Sequence, residues 1–200
     1  MIFMCNFFFK IFFVCFFVFV NFCYANVKDP IEILKNINEE VLNIVDKNIN
    51  LDMDKLNEIL GDYIVSYINF DEMCSWIVGK NIWKFVSYDK KNEFIKEFQK
   101  LVIRTYSATL NKYIKSKVVF FSNENFDKKL FKEDSKIQIS SEIELLENNK
   151  ILRVDYRLIF VHDTWKLYDL IIEGVSILKG FQAQFSNDIK KYGIDFVIDK

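Results

Sequence analysis

The sequence is poor in the residues that most often form turns, metal sites and disulfides. Its 200 residues include one proline, five glycines, one histidine and four cysteines. Three of the cysteines lie within the first 23 residues, so Cys74 is alone in the remainder and a disulfide framework is excluded there. A single histidine without a thiolate cluster cannot supply the usual ligand sets of zinc or iron. We therefore expect no metal site, no cofactor and a fold stabilised by an ordinary apolar core.

Phenylalanine and other large apolar residues are concentrated at the start of the chain. Residues 1–25 hold ten of the 22 phenylalanines, and Lys10 precedes the apolar run IFFVCFFVFV. The small residues Cys23 and Ala25 complete the pattern of a signal peptide, which predicts export, cleavage after Ala25 and a single domain over residues 26–200. The alternative is a retained membrane anchor, because the stretch before Lys10 is apolar as well.

The charge balance gives no indication of a nucleic-acid partner. Without the leader, which carries one lysine, the chain has 26 basic and 28 acidic residues, a net charge of −2, and no basic cluster stands out. Binding to nucleic acid relies on concentrated positive charge, so we expect no such partner.

The first half of the mature chain has helical periodicity. Asp29 and Pro30 are typical of a helix start, and Leu34, Ile37, Val41 and Val45 then form one apolar face. A second helix is predicted from Asp52 to a terminating Gly61, and a third as far as Gly79. The longest is predicted from about Asp89 to Tyr113, with a broad apolar stripe made of Phe94, Phe98, Leu101, Val102, Thr105, Tyr106, Ala108 and Leu110.

From Lys117 onward the period changes to two. Four strands are predicted, KVVFFS, KIQISSEIELL, ILRVDYRLIF and WKLYDLIIE, with turns at ENNK and HDT between the last three. A closing helix follows from Ile177 to Tyr192. Helices, then an antiparallel meander, then a helix predict an α+β domain with a helical layer on a four-stranded antiparallel sheet.

Few residues offer catalytic chemistry. The only histidine, His162, falls in a predicted exposed turn, and Cys74 falls on the apolar side of a helix, where a buried structural cysteine is expected. Ser176 in EGVSI resembles the start of a nucleophile elbow, but Leu178 replaces the second glycine of that motif. Ser176 is better placed to cap the helix that begins at Ile177.

Three carboxylates remain as possible general bases in an isomerase-like pocket: Asp155, Asp169 and Glu173. The simpler interpretation of Asp155 is an exposed ion-pair ladder with Arg153 and Arg157, two positions away on the same strand face. We expect no catalytic residue and no enzyme, and keep a small-molecule enzyme as an alternative.

Several segments together resemble one known family. WKLYDLIIEGVSILKGFQAQF, LRVDYRL, RTYSATL and YGIDFVID are similar to the MlaC or toluene-tolerance family of periplasmic phospholipid carriers, and YD-x-x-x-EGVS is the most specific match. The likeness covers nearly the whole mature chain. It departs at GKNIWKFVSYD, which is one residue longer than the family pattern and lacks its proline.

The resemblance implies both a fold and a function. It implies helices wrapped on a curved sheet, with acyl tails in an apolar pocket between them and the head group in solvent. It also implies a periplasmic monomer that shuttles phospholipid between an outer-membrane lipoprotein and porin complex and an inner-membrane ABC transporter complex with an MCE domain, maintaining outer-membrane lipid asymmetry. A membrane-anchored protein adaptor is a further alternative.

Strand alternation and this resemblance together assign the lipid-binding wall to thirteen residues. They are Trp83, Phe98, Val102, Tyr106, Val154, Tyr156, Leu158, Trp165, Tyr168, Leu170, Val175, Phe181 and Phe185. Large apolar side chains become a binding site only where the helices stand away from the sheet.

Overall fold

The computed structural model describes residues 29–48, 50–113, 116–121, 131–145 and 149–198. The predicted signal peptide lies outside these residues, as do Glu147 and Asn148 of the first predicted turn. The helices are α1 (Pro30–Lys47), α2 (Met53–Val65), α3 (Phe70–Val78), α4 (Lys80–Trp83), α5 (Tyr88–Tyr113), α6 (Ile177–Tyr192) and α7 (Ile194–Ile198), and the strands are β1 (Lys117–Phe121), β2 (Lys136–Leu145), β3 (Lys150–Val161), β4 (Thr164–Ile172) and β5 (Val175–Ser176).

Polar side chains start the helices where the sequence predicts them. The carboxylate of Asp29 accepts the backbone N–H of Ile31 at 2.8 Å, and that of Asp52 accepts the N–H of Lys55 at 2.9 Å. Each bond satisfies a donor that the first helical turn leaves free. No helix in the part of the chain that the structure describes is both long and apolar enough to cross a membrane.

The predicted end of α2 at Gly61 is wrong. The helix continues to Val65, and Gly61 lies inside it against α5. A Cβ atom at this position would stand 2.9 Å from Cγ2 of Ile103. The glycine therefore allows two helices to approach closely and does not end the helix.

The strands form one antiparallel sheet in the order β1-β2-β3-β4-β5. The predicted α+β class and meander are confirmed, but the described sheet has five strands instead of four. The extra strand is only two residues long: Val175 and Ser176 pair with Ile172 and Ile171 before α6 begins. The turns fold as their residues suggest, because Asn149, His162 and Asp163 all have positive φ (54°, 49° and 61°).

An irregularity in β4 determines on which face of the sheet each of its side chains lies. Arg157 is paired with Asp169 and Leu158 with Leu167, so Tyr168 is an extra residue in the ladder. Side chains alternate along a regular strand, and one inserted residue reverses the alternation beyond it. As a result Leu167 and Leu170, three positions apart, lie on the same face of the sheet.

Helices cover both faces of the sheet. On one face, α3, α5 and α6 enclose a core that includes Phe70, Cys74, Phe98 and Phe181. On the other, α1 packs against residues of β2 to β4 such as Trp165. The sheet thus separates two apolar regions.

Candidate functional site: an apolar cavity between helix and sheet

The cavity lies between α1 and the face of the sheet that α1 covers, and its volume is about 250 Å³. Sheet residues from β1 to β4 form one side: Val118, Phe120, Ile143, Val154, Tyr156, Leu158, Trp165, Leu167, Leu170 and Ile172. The helical side consists of Ile33, Leu34, Ile37, Asn38, Val41 and Leu42 of α1 with Ile64, Tyr67, Ile68 and Tyr106. The wall therefore contains no charged side chain among the described residues.

Polar groups are found where the cavity approaches solvent. A shallower depression of about 380 Å³ between α1 and β1 shares Asn38, Val118 and Phe120 with the cavity and adds Lys35 and Glu39. Lys35 and Glu39 are exposed. An apolar interior that ends in a polar rim suits an amphiphilic ligand better than a purely apolar one.

Two tyrosines of the wall, Tyr106 and Tyr156, have raised pKa values and stay neutral at physiological pH. Burial raises the pKa of Tyr156, an effect only partly offset by its hydrogen bond with Ser141, and burial also raises the pKa of Tyr106. Neutral phenols add apolar ring surface and a few hydrogen-bonding oxygens to the wall. They do not add charge.

None of the three carboxylates considered as general bases lines the cavity: Asp155 and Asp169 belong to the opposite side of the sheet, and Glu173 is exposed in the β4–β5 turn, where it accepts the backbone N–H of Arg153 at 2.6 Å. Asp155 accepts the hydroxyl hydrogen of Ser140 at 2.6 Å and lies 3.7 Å from Nε of Arg153. Its neighbours Val154 and Tyr156 line the cavity, so alternation turns Asp155 away from it. The predicted ladder is wrong in two respects: Asp155 is buried, and Arg157 pairs with Asp169 instead.

The side chain of Asp169 joins β4 to β3 and to the start of α6 through hydrogen bonds. Its side chain is fully buried, with Oδ2 accepting from Ser176 Oγ at 2.8 Å and from Nη1 of Arg157 at 3.2 Å. Its Oδ1 accepts the backbone N–H of Leu178 at 3.0 Å, and Ser176 Oγ in turn accepts the N–H of Lys179 at 3.0 Å. The predicted cap role of Ser176 is confirmed.

The two other candidates for reactive chemistry are also placed away from the cavity. Cys74 is completely buried in the core beneath α3, where burial, with a smaller effect of Asp71, raises the pKa of its thiol. His162 is exposed in the β3–β4 turn. No group of ligand-forming side chains suited to a metal ion occurs among the described residues.

The structure brings six of the thirteen predicted wall residues together around the cavity. They are Tyr106, Val154, Tyr156, Leu158, Trp165 and Leu170. All but Tyr106 lie on β3 and β4, where the predicted alternation holds up to the irregularity at Tyr168. Their role in binding a ligand stays a prediction.

The other seven do not line this cavity. Trp83, Phe98, Tyr168 and Phe181 are buried in the core on the opposite face, Val102 and Phe185 pack against that core, and Val175 is 70% exposed. Phe98 and Phe185 border a separate groove of about 450 Å³ between α5, α6 and α7, which also includes Glu97, Lys100 and Arg104. That groove has a larger volume than the cavity beneath α1, but its lining includes charged side chains. The continuous apolar wall beneath α1 makes that cavity the better candidate site.

Sequence reasoning missed the contribution of α1. Leu34, Ile37 and Val41 were identified as the apolar face of a helix, but the pattern does not show whether such a face meets a packed core or a cavity. In the structure these three side chains line the cavity, and Ile37 and Val41 are only half-buried.

The fold and the cavity define the class of protein: an α+β domain whose helix and sheet enclose an uncharged apolar space with a polar rim. Comparison with known proteins identifies the family. The model of the MlaC protein family matches residues 35–200, and the chain belongs to that family.

Two relatives illustrate this membership. The intermembrane phospholipid transport system binding protein MlaC of Haemophilus influenzae is 28% identical over 168 residues, which covers 76% of this chain and 69% of the relative. A phospholipid-binding protein from Ralstonia solanacearum, solved in complex with a phospholipid, has a TM-score of 0.69 at 21% identity, over 83% of this chain and 90% of that one. The structural likeness shows that the fold is shared.

Proposed function

We propose that this chain is a phospholipid carrier that holds acyl tails in the cavity beneath α1 and leaves the head group at the polar rim. The observation that carries the proposal is the wall itself, in which twenty residues from helix and sheet present no charged group. Family membership and the names of the two relatives support the same function.

The energetics of acyl chains explain why such a wall is needed. Burial of a methylene is worth about 0.8 kcal/mol, so two chains of about fifteen carbons each gain on the order of 20 kcal/mol in an apolar environment. A carrier has to offer a comparable environment if it is to remove a lipid from a bilayer. A single carboxylate in the wall would oppose this, because an unpaired charge is costly to bury.

We expect the cavity to widen when lipid enters. Pockets for drug-sized ligands are about 300–1,000 Å³, and a two-tailed phospholipid is larger than such ligands, whereas the cavity here is about 250 Å³. The element placed to move is α1, because Ile37, Val41 and Leu42 on its inner face are only half-buried. Outward movement of α1 enlarges the cavity without disturbing the core on the other face.

The wall also holds a free hydrogen-bond donor for the polar part of a lipid. Trp165 is 1% exposed, and within the described residues its indole N–H has no acceptor. An unsatisfied buried donor costs about 1–3 kcal/mol, which an ester carbonyl of a bound lipid would recover.

The wider setting follows from the family resemblance. We propose that residues 1–25 are a cleaved signal peptide, that residues 26–200 form the mature carrier, and that this carrier works in the periplasm as a monomer. We further propose that it exchanges lipid with an inner-membrane ABC transporter complex bearing an MCE domain and with an outer-membrane lipoprotein and porin complex. In this role it uses no cofactor of its own and catalyses no reaction.

Lipid extraction tests the proposal directly. The exported protein is purified without detergent and extracted with organic solvent, and the lipid and protein in the sample are quantified. About one phospholipid per protein molecule is the expected result, since one cavity takes one ligand. A lipid-free protein that also takes up no lipid from vesicles would overturn the carrier function and favour the adaptor alternative.

A further inference from the structure

The segment Lys80–Lys91 exposes large apolar side chains that no part of the described chain covers. Phe85 is 86% exposed, Tyr88 78% and Ile82 42%. These three residues are spaced three apart, and helical-type hydrogen bonds run through the segment, from the N–H of Ile82 to Gly79 O and from that of Phe85 to Ile82 O. Such spacing places Ile82 and Phe85 on a similar side of the segment, and Tyr88 is exposed where α5 begins directly after it.

The segment already buries its other side, so the exposed residues are not displaced core residues. Trp83 is 5% exposed and stacks edge-to-face on Phe94 at 5.9 Å, and Val86 packs against the same core. The indole N–H of Trp83 donates to Asp71 at 3.3 Å. The segment is therefore apolar on both sides, and only the inner side has a partner.

Lysines flank the exposed apolar residues, and Lys84 among them is not neutralised by a carboxylate in the described part of the chain. Residues 80–91 contain four lysines and one aspartate, a net charge of +3 in a chain whose full sequence has a net charge of −1. Lys80 pairs with Glu72 at 3.4 Å, and Lys90 pairs with both Glu93 at 3.0 Å and Asp195 at 2.9 Å, whereas Lys84 forms no ion pair within the described residues. Lys84 thus presents a free cation next to Phe85.

We propose that this surface, defined by Ile82, Lys84, Phe85 and Tyr88, docks on an anionic phospholipid bilayer. Aromatic side chains favour the head-group level of a membrane, and lysines near an anionic leaflet add about fivefold in affinity each. The carrier function proposed above requires a lipid-filled cavity but no dedicated docking surface outside it, so this inference goes beyond it.

The chemistry of the surface favours a bilayer over a protein partner. The central aromatic residues of protein interfaces fit preformed pockets of the partner. Phe85 protrudes with most of its surface in solvent, which suits insertion into a fluid layer that adapts to it.

Sedimentation with vesicles tests the proposal. The exported protein, with the loss of residues 1–25 verified by mass, is mixed at low salt with vesicles of phosphatidylcholine and phosphatidylglycerol in equal parts, or of phosphatidylcholine alone. We expect binding to the anionic vesicles only, and release by salt, because ions screen charges near a surface. Phe85→Ser should weaken binding about tenfold or more, and Lys84→Gln about fivefold.

Matched variants on other elements serve as controls. Ile151→Ser removes an exposed apolar residue from β3, and Lys55→Gln removes an exposed lysine from α2; both should bind as the unmodified protein does. Circular dichroism verifies that each variant is folded.

Three results would overturn the proposal: unmodified protein that stays in the supernatant of anionic vesicles, equal binding to uncharged vesicles, or Phe85→Ser that binds as tightly as the unmodified protein. The first would leave a protein partner as the occupant of this surface. Failure of the docking proposal can be distinguished from failure of the carrier function. The variant Leu170→Asp alters the cavity and leaves the docking surface intact. If Leu170→Asp also abolishes sedimentation, the vesicles act through the cavity and the docking proposal is wrong.

Discussion

The carboxylate of Asp169 accepts the hydroxyl hydrogen of Ser176 at 2.8 Å and so joins the last long strand to the helix that follows it. Ser176 in turn accepts the backbone N–H of Lys179 in the first turn of α6. The two residues thus fix the strand-to-helix corner on the side of the sheet that faces away from the cavity. Ser176, which resembles a nucleophile in the sequence, stabilises this corner in the structure.

Removal of this hydroxyl should weaken the corner. Ser176→Ala deletes the cap of α6 and one of the donors to a fully buried carboxylate, and we expect it to lower the free energy of unfolding by about 2 kcal/mol. Urea denaturation gives the value. Asn187→Ala on an exposed position of α6 is the control and should stay within about 0.5 kcal/mol of the unmodified protein. Equal stabilities for the two variants would contradict the role of the Asp169–Ser176 pair.

Glu72 makes stability depend on pH. Burial acts to raise its pKa, but hydrogen bonds from Lys136 and Trp76 and the charges of Lys136 and Lys80 outweigh burial, so the net pKa is lowered. A depressed pKa stabilises the fold above the pKa that glutamate has in the unfolded chain, and this contribution is lost as pH falls through the folded-state value.

Glu72→Gln should therefore be less stable than the unmodified protein at neutral pH, by about 1–3 kcal/mol, and the difference should shrink in acid. Denaturant titrations at a series of pH values measure it. Glu58→Gln, at an exposed position of α2, should show no comparable difference at any pH. A Glu72→Gln difference that is constant from neutral to acid pH would contradict the assignment.

A charge in the cavity wall should expel lipid. Leu170→Asp places a carboxylate among apolar residues, where burial without a partner is unfavourable, and we expect most of the bound lipid to be lost. Val175→Asp, at a position that is 70% exposed, should retain it. Native mass spectrometry of the exported variants gives the occupancy. Loss of lipid in Val175→Asp alone would move the binding site to the β4–α6 corner.

Two helical glycines should respond to alanine in opposite directions. An added Cβ at Gly180 of α6 meets nothing within 4 Å, so Gly180→Ala should stabilise the protein by about 0.5–1 kcal/mol through helix propensity and a less flexible unfolded chain. At Gly61 the overlap with Ile103 should cost about 1–3 kcal/mol and outweigh the same gain. Thermal unfolding of both variants measures the sign. Stabilisation by Gly61→Ala would show that α2 and α5 separate easily.

Local features of the fold could be predicted from the sequence because they depend on a few neighbouring residues. Asp29 and Asp52 cap helices since a carboxylate one position ahead of a helix reaches its free N–H groups. The alternation in β2 and β3 followed from the two-residue period, and the order of elements predicted the α+β class. Gly61 is misassigned because a glycine resembles a local helix end, whereas its role here is close approach to Ile103, a residue 42 positions away.

The lining of the cavity could be predicted only in part. A stripe such as Phe98 and Val102 shows which side chains share a helix face, but the element that covers this face is set by the tertiary fold. In α5, Phe98 contacts both Phe70 of α3 and Phe181 of α6, whereas Tyr106, two turns later, lines the cavity. The extra residue at Tyr168 reversed the alternation in β4, and no periodic pattern marks such an insertion.

The sheet separates most of the core formed by α3, α5 and α6 from the space beneath α1, and Tyr106 is one of the few residues that contact both. Substitutions in Ile37, Val41 or Leu42 alter the size and shape of that space while the core around Phe98 and Cys74 continues to fold the domain. A protein arranged in this way has freedom to evolve: its range of cargo is able to change through α1 and the inner sheet face without loss of the scaffold behind them.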